Sequence, residues 1–343
     1  MNSKETPQVP ESREILLNDL VNIAINEYAG RCMPVLRDKV KNGEDKKIIK
    51  LGKRKEYKRG DVVTSIDPIG ENLLHEIVDG YNIPATIYGE HQLFPSPTGD
   101  SLIDFEIDPF DNTKEYQSGL DTPPWTVLSA YIARKPAAAF IGSIKDNKAY
   151  ILQNGEVFER NLDNGQNVIV KKSERKTLQD PESRLASYCG SSEYTLPFDR
   201  EFGDFKNNRP HESLFYGGGG AFIYGYLASG KVDAYVMWQE PYEEIDPGVA
   251  IALAAGCEVG YLDERGVWHD YEYNPDREDK TTPGVFVAAA TPEIRDEVID
   301  HYIDQHTFHL SSDEIPLAER QELPILPERH SSWYEKSQFA GKK

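Results

Sequence analysis

Hydrophobic periodicity marks out the first elements. From Ser12, placed as an N-cap, apolar residues at Leu16, Leu20, Ile23 and Ala24 follow helical spacing, and Pro34 predicts an end or a kink. A second helix is expected over Pro68–Gly80, with Leu73, Leu74, Ile77 and Val78 as its buried face and Asp67 capping its start. Phe105 and Ile107 alternate with Glu106 and Asp108, the pattern of a strand leaving a core, and Pro109 is expected to stop its ladder. The stretches 125–133 and 137–144 are apolar and bounded by turn residues, and Asn154-Gly155 between two further runs is a hairpin signal, so an antiparallel meander is expected. Between these elements the polar start (1–11, with Pro7 and Pro10) reads as disordered, LFPSPTGDS before Leu102 as a loop, and 168–210 as a domain junction or a loop at a substrate rim.

Composition narrows the class. With 343 residues, 38% hydrophobic, the chain can bury a sizeable core. A net charge of −20 argues against an extended nucleic-acid polymer or an anionic membrane as partner, since both require a basic face. The basic run Lys46–Gly60 reads as a solvated surface, with a lysine brought over a bound phosphate as the lesser alternative. Cys32, Cys189 and Cys257 are odd in number and widely spaced, which suits reduced structural thiols and a cytoplasmic protein. No stretch approaches a membrane span, and the N-terminus lacks an apolar signal core.

The chemistry concentrates in FEIDPFDNTKEY, Phe105–Tyr116. Asp108 and Asp111 lie three apart across a turn, so two carboxylates can face one point, as a hard divalent cation requires. Asn112 tolerates a left-handed backbone, Thr113 adds a hydroxyl, and their N–H groups would form an anion cradle if a helix starts there. A solvated turn is the plain alternative for a DPxD taken alone.

The string resembles the DPxDGT motif of the inositol monophosphatase superfamily of metal-dependent, lithium-sensitive phosphatases, with Asn112 in place of glycine, and TKEY resembles the continuation found in 3′(2′),5′-bisphosphate nucleotidases. Further matches follow in order. DVVTSID (Asp61–Asp67) is similar to a segment whose aspartate works with the motif threonine on the attacking water, so the resemblance gives that role to Asp67 and Thr113. TIYGEH (Thr86–His91) resembles the GEE element, with Glu90 as the implied metal ligand and His91 replacing the second acid. YGGGGA resembles a nucleotidase glycine element, read here as close packing of a helix start because no GK[ST] follows, and ASGKVDAY resembles the superfamily's helix, turn and strand. The final metal motif is Trp-Asp in the family; the register counted forward from Tyr235 and back from Ala255-Gly256-Cys257 reaches Glu244, with Glu243 at the tryptophan position. Asp246 before Pro247 is an alternative ligand and otherwise an N-cap. PGVFVAAATPEIRDEVIDHY resembles the closing strand (Val285, Val287) and helix (Ile294, Val298, Ile299), and SYCGSSEY only loosely matches a recognition segment.

The resemblance implies a layered α/β/α/β/α sandwich of the sugar-phosphatase type: an N-terminal mixed-sheet half over 12–170, a C-terminal α/β half over 171–310 and an extra tail over 311–343 that has room to wrap the surface or join a homodimer interface. It implies phosphate-monoester hydrolysis with two or three Mg²⁺ ions held by Glu90, Asp108, Asp111, Glu244 and the Phe110 carbonyl, and phosphate contacts from Asn112 and Thr113. A 3′(2′),5′-bisphosphate nucleotidase acting on a small phosphorylated substrate is favoured. An inositol monophosphatase or a fructose-1,6-bisphosphatase-like enzyme is the alternative, and the departures at Asn112, His91 and Glu244 leave room for a catalytically weak homologue that binds a phosphorylated ligand or a protein.

Overall fold

The computed structural model describes residues 11–44, 66–99, 101–113, 116, 123–188, 214–216, 220–263 and 266–311. The N-terminal segment 1–10, the basic run 46–60, the residues of DVVTSID before Ile66, Cys189 and the tail beyond Ser311 lie outside them, with the expectations attached to each.

Helix α1 (Glu11–Lys41) and helix α2 (Asp67–Gly80) lie on one face of an eight-stranded sheet. Its strands are β1 (Ala85–Gly89), β2 (Leu93–Phe94), β3 (Ile103–Asp111), β4 (Trp125–Ile132), β5 (Lys135–Ser143), β6 (Lys148–Gln153), β7 (Glu156–Asn161) and β8 (Asn167–Ile169), in the order β2-β1-β3-β4-β5-β6-β7-β8. Only β1 and β3 run parallel; the rest is the expected antiparallel meander, and Asn154 and Gly155 turn its β6–β7 hairpin with φ of 53° and 76°. A six-stranded sheet follows, β10-β9-β11-β14-β12-β13, from β9 (Arg184–Ala186), β10 (Leu214–Tyr216), β11 (Ala234–Trp238), β12 (Glu258–Leu262), β13 (Trp268–Asp270) and β14 (Val285–Ala289). Between the sheets pack helices α3 (Ile223–Ala228) and α5 (Val249–Ala254), with β11 and the short α4 (Tyr242–Ile245) between them in the chain, and α6 (Pro292–Ser311) covers the outer face of the second sheet.

These five layers explain why β4 is buried along its whole length. Trp125, Val127 and Tyr131 face α3 and α5, whereas Leu128, Ala130 and Ile132 face α1 and α2, so period-two alternation divides one strand between two cores. No helix among the described residues is long and apolar enough to cross a membrane. Cys32 and Cys257 are free and buried, and burial pushes both thiols up to about 12, which keeps them unreactive.

Three expectations are corrected. The buried stripe of α1 is Leu17, Val21, Ala24, Tyr28 and Cys32, while Leu16 and Ile23 are exposed. The N-terminal run of Ile15, Leu16, Leu17, Leu20, Val21 and Ile23 fits two helical phases, and the large Tyr28 and Leu36 further along select the other one. Pro34 does not end α1: it faces solvent, where the carbonyl it leaves without a partner can bond water, while Met33 and Leu36 on either side hold the helix to the sheet. Finally, Leu73 is only partly buried, and the inner face of α2 carries Gly70 and Glu71 in addition to Leu74, Ile77 and Val78.

Candidate metal centre

The site forms where β1 and β3, side by side and parallel, reach their C-terminal ends. Pro109 does not stop β3. Lacking an N–H, it interrupts the ladder, and the strand resumes with Asp111 opposite Trp125 after a register shift. The shift matters because residues an odd number apart normally point to opposite faces. Here it lets Asp108 and Asp111 converge. The Phe110 N–H donates to Asp108 Oδ1 at 2.9 Å, fixing the turn around the proline. Both aspartates are buried rather than solvated.

Glu244 on α4 completes a first group, each pair of ligand atoms from Asp108, Asp111 and Glu244 lying within 4.8 Å. Asp111 is held from behind by the Phe222 N–H, which donates to its Oδ2 at 2.8 Å. Gly220 precedes that contact with φ of 110° and no room for a Cβ, which would strike Asp111 Oδ1. The last glycine of YGGGGA is thus required by close approach of backbone to a carboxylate.

Asp67, Glu90 and His91 form a second group of the same tightness. Glu90 follows β1, its N–H bonded to the Ile107 carbonyl one residue before Asp108. His91 Nε2 lies 3.3 Å from Glu90 Oε2 and 3.9 Å from Asp67 Oδ1, and Glu71 Oε1 accepts the His91 N–H at 2.8 Å. Asp67 is the first residue of α2 rather than its cap: the N-cap position is Ile66 and no side-chain cap bond forms. The start of α2 abuts the β3 turn so closely that a Cβ on Gly70 would come within 2.6 Å of Pro109 Cβ. A helix N-terminus there favours negative charge nearby.

Asn112 takes the left-handed conformation, φ 69°, and the Tyr116 N–H returns to its carbonyl at 3.0 Å, closing a helical turn. Thr113 Oγ1 donates to the Phe110 carbonyl at 2.5 Å. Lys114 and Glu115 lie outside the described residues.

Asp246 is not the N-cap of a helix, the next helix being capped at Gly248, and it does not join the first group. It sits at the end of α4, with one Arg277 guanidinium nitrogen 3.0 Å from both carboxylate oxygens, and Tyr271 donates to Oδ1 at 2.5 Å. Its carbonyl accepts from Tyr131 at 2.7 Å, the Pro247 carbonyl accepts from Ser129, and Arg277 lies 3.6 Å over the Tyr242 ring. Beside it, Tyr273 stacks on Tyr131 and donates to the buried Glu106 at 2.7 Å. This network fastens the segment that carries Glu244 to β4. The sequence reading missed Glu71, Glu106, Arg277 and the tyrosines at 131, 242, 271 and 273, because nothing local distinguishes them from ordinary helix, strand and loop residues.

The donor set suits a hard divalent cation: the buried carboxylates of Asp67, Asp108 and Asp111 crowd together with the half-buried Glu90 and Glu244. Burial holds Asp108 well above the usual carboxylate range, with Asp111, Asp67 and Glu71 adding repulsion, and burial likewise raises Glu71. A carboxyl raised in the folded state stabilises the fold below its unfolded value of about 4 and loses that contribution as pH rises through the folded value. The metal-free protein should therefore lose stability from these groups between mildly acidic and neutral pH, and a bound cation should restore it. The increase in melting temperature on adding Mg²⁺ in place of EDTA is expected to be several degrees larger at pH 8 than at pH 5. Equal increments at the two pH values would show that the cation is not relieving this repulsion.

A two-sheet α/β sandwich with paired carboxylate groups at the strand ends is the arrangement of a metal-dependent phosphatase. The sequence model of the inositol monophosphatase family matches residues 17–304, and the chain belongs to that family. Solved structures agree in fold. The IMPase of Thermotoga maritima is 18% identical with a TM-score of 0.58, covering 87% of this chain and 99% of its own. Extragenic suppressor protein suhB of Bartonella henselae is 16% identical at 0.60, covering 84% and 98%. Inositol monophosphatase-II of Staphylococcus aureus is 14% identical at 0.59, covering 87% and 99%. No curated protein sequence matches the chain significantly.

Proposed function

We propose that the chain is a Mg²⁺-dependent phosphomonoester hydrolase acting on a small phosphorylated substrate, with a 3′,5′-bisphosphate nucleotide of the adenosine type as the preferred one. The observation that carries the hydrolase reading is the convergence of Asp108, Asp111 and Glu244 next to Asp67, Glu90 and His91. In this reading Asp108, Asp111 and Glu244 would hold one cation, and Glu90 with the Phe110 carbonyl would hold another. Bound metal would supply Lewis acidity toward the phosphoryl oxygens and lower the pKa of a water. Asp67 and Thr113 orient that water, the Thr113 hydroxyl being seated against the Phe110 carbonyl. The N–H groups of Asn112 and Thr113 would donate to a phosphate oxygen.

TKEY supports the nucleotide preference. The glycine run supports it less, since Gly220 is accounted for by Asp111. The relatives from Thermotoga maritima and Staphylococcus aureus bear inositol monophosphatase names, which favours inositol monophosphate as the second candidate. Measuring kcat/KM with Mg²⁺ on adenosine 3′,5′-bisphosphate, inositol monophosphate and fructose 1,6-bisphosphate separates them. The nucleotide is expected to lead. A higher value for inositol monophosphate would remove the nucleotidase reading alone, and no turnover of any of the three would favour a ligand-binding homologue.

A further inference from the structure

The two groups of the metal centre differ in one donor. Asp108, Asp111 and Glu244 offer oxygen alone, whereas Asp67 and Glu90 stand with the imidazole of His91, at the position where the GEE element has its second acid. Consecutive residues of a strand point to opposite faces, so Glu90 and His91 would diverge if β1 ran on. It ends at Gly89, and three bonds shape the chain beyond it. The Gly89 N–H donates to the Gln92 carbonyl at 2.8 Å, the Glu90 N–H to the Ile107 carbonyl at 3.1 Å, and the His91 N–H to Oε1 of the wholly buried Glu71 at 2.8 Å. Gly89 is pressed against the same Glu71 carboxylate, with no room for a Cβ between them. The result is a fixed turn that aims two neighbouring side chains at one point.

At that point His91 Nε2 lies 3.3 Å from Glu90 Oε2 and 3.9 Å from Asp67 Oδ1, with only 10% of the His91 side chain exposed. Among the described residues the imidazole nonetheless forms no hydrogen bond. A ring N–H placed to satisfy one acid would point along its acceptor. Atoms that share a metal ion approach differently: two ligands about 2.1 Å from one ion stand roughly 3.0–3.4 Å apart at octahedral or tetrahedral angles. The Glu90 spacing meets that separation, and the Asp67 spacing closes to it with a small movement.

Donor type then selects the ion. Mg²⁺ takes oxygen ligands, whereas imidazole nitrogen beside carboxylate oxygen suits Zn²⁺ and related transition-metal ions. We propose that His91 Nε2 and Glu90 together bind one divalent transition-metal ion of the Zn²⁺ type, with Asp67 facing it, so that the two groups of the centre select different ions. The all-oxygen group keeps Mg²⁺. The inference rests on the hydrolase reading only in that Glu90 holds a cation; it adds the nitrogen ligand and changes which ion is held.

Co²⁺, which takes the same ligands as Zn²⁺, is the probe. It is titrated into the full chain in a large excess of Mg²⁺, and binding is read by calorimetry and by X-ray absorption at the cobalt edge. One Co²⁺ should bind, with the scattering pattern of a single coordinated imidazole. His91→Gln should lose that pattern and bind Co²⁺ on the order of a hundredfold more weakly. His91→Glu, which makes the group all oxygen, should shift its preference from Co²⁺ toward Mg²⁺. Circular dichroism checks that both variants fold, and the wild-type absorption spectrum needs neither. A cobalt shell of oxygen alone, an imidazole pattern that persists in folded His91→Gln, or equal Co²⁺ affinity in that variant would overturn the proposal and leave the carboxylate centre standing. Failure of the wild type to bind Co²⁺, Mn²⁺ or Mg²⁺ would overturn the centre itself, and the proposal with it.

Discussion

Asp108→Asn is expected to lower phosphatase turnover by more than about 10²-fold while leaving the fold intact. The substitution preserves shape and removes one charge from the point where Asp111, Asp67 and Glu71 already crowd it. Since the metal-free protein carries this repulsion without a counter-charge, the variant should melt at or above the wild-type temperature in EDTA and lose most of the stabilisation that Mg²⁺ gives. Turnover and thermal scans of the same preparation check both halves. A folded Asp108→Asn protein with near-normal turnover would remove Asp108 from the metal site.

The second large effect contrasts two neighbours. Asp246→Asn should destabilise the protein by roughly 3–5 kcal/mol, because it removes the carboxylate paired with Arg277 in a pocket where only 13% of that side chain is exposed. That exceeds the roughly 0.5–2 kcal/mol of a lost N-cap, the role the sequence suggested. Glu244→Gln should cost little stability and instead raise the Mg²⁺ concentration needed for half-maximal activity. The extra methylene of glutamate relative to the family's aspartate should also make the wild-type requirement higher than a relative's, since Mg²⁺ tolerates poor octahedral geometry badly. Urea unfolding and Mg²⁺ titration of each variant separate the roles. If the effects are exchanged, Asp246 is the ligand and Glu244 the structural group.

What could be read from the sequence was local. The period of α2, the double burial of β4 and the Asn154-Gly155 turn each follow from side-chain pattern and backbone preference within a short window. The DPxD turn likewise carries its own geometry, apart from the bulge that lets the strand continue through Pro109. What could not be read was pairing across distance. Asp246 and Arg277 are separated by helix α5 and the β12–β13 hairpin, and only the fold shows that Asp246 already has a partner. Glu71 looks like one more polar position on a helix until β1 brings His91 against it. Gly220 is one of four identical residues, and only the approach of Asp111 shows what the last of them does. In α1 the local pattern itself was degenerate, and tertiary packing chose between its two phases.

The metal centre is tested most directly by anomalous diffraction from crystals grown with Mn²⁺ and inorganic phosphate. One peak is predicted between Asp108, Asp111 and Glu244, a second beside Glu90 and the Phe110 carbonyl, and phosphate between them and the turn at Asn112. Anomalous density absent from the Asp108, Asp111 and Glu244 group at saturating Mn²⁺ would contradict the assignment.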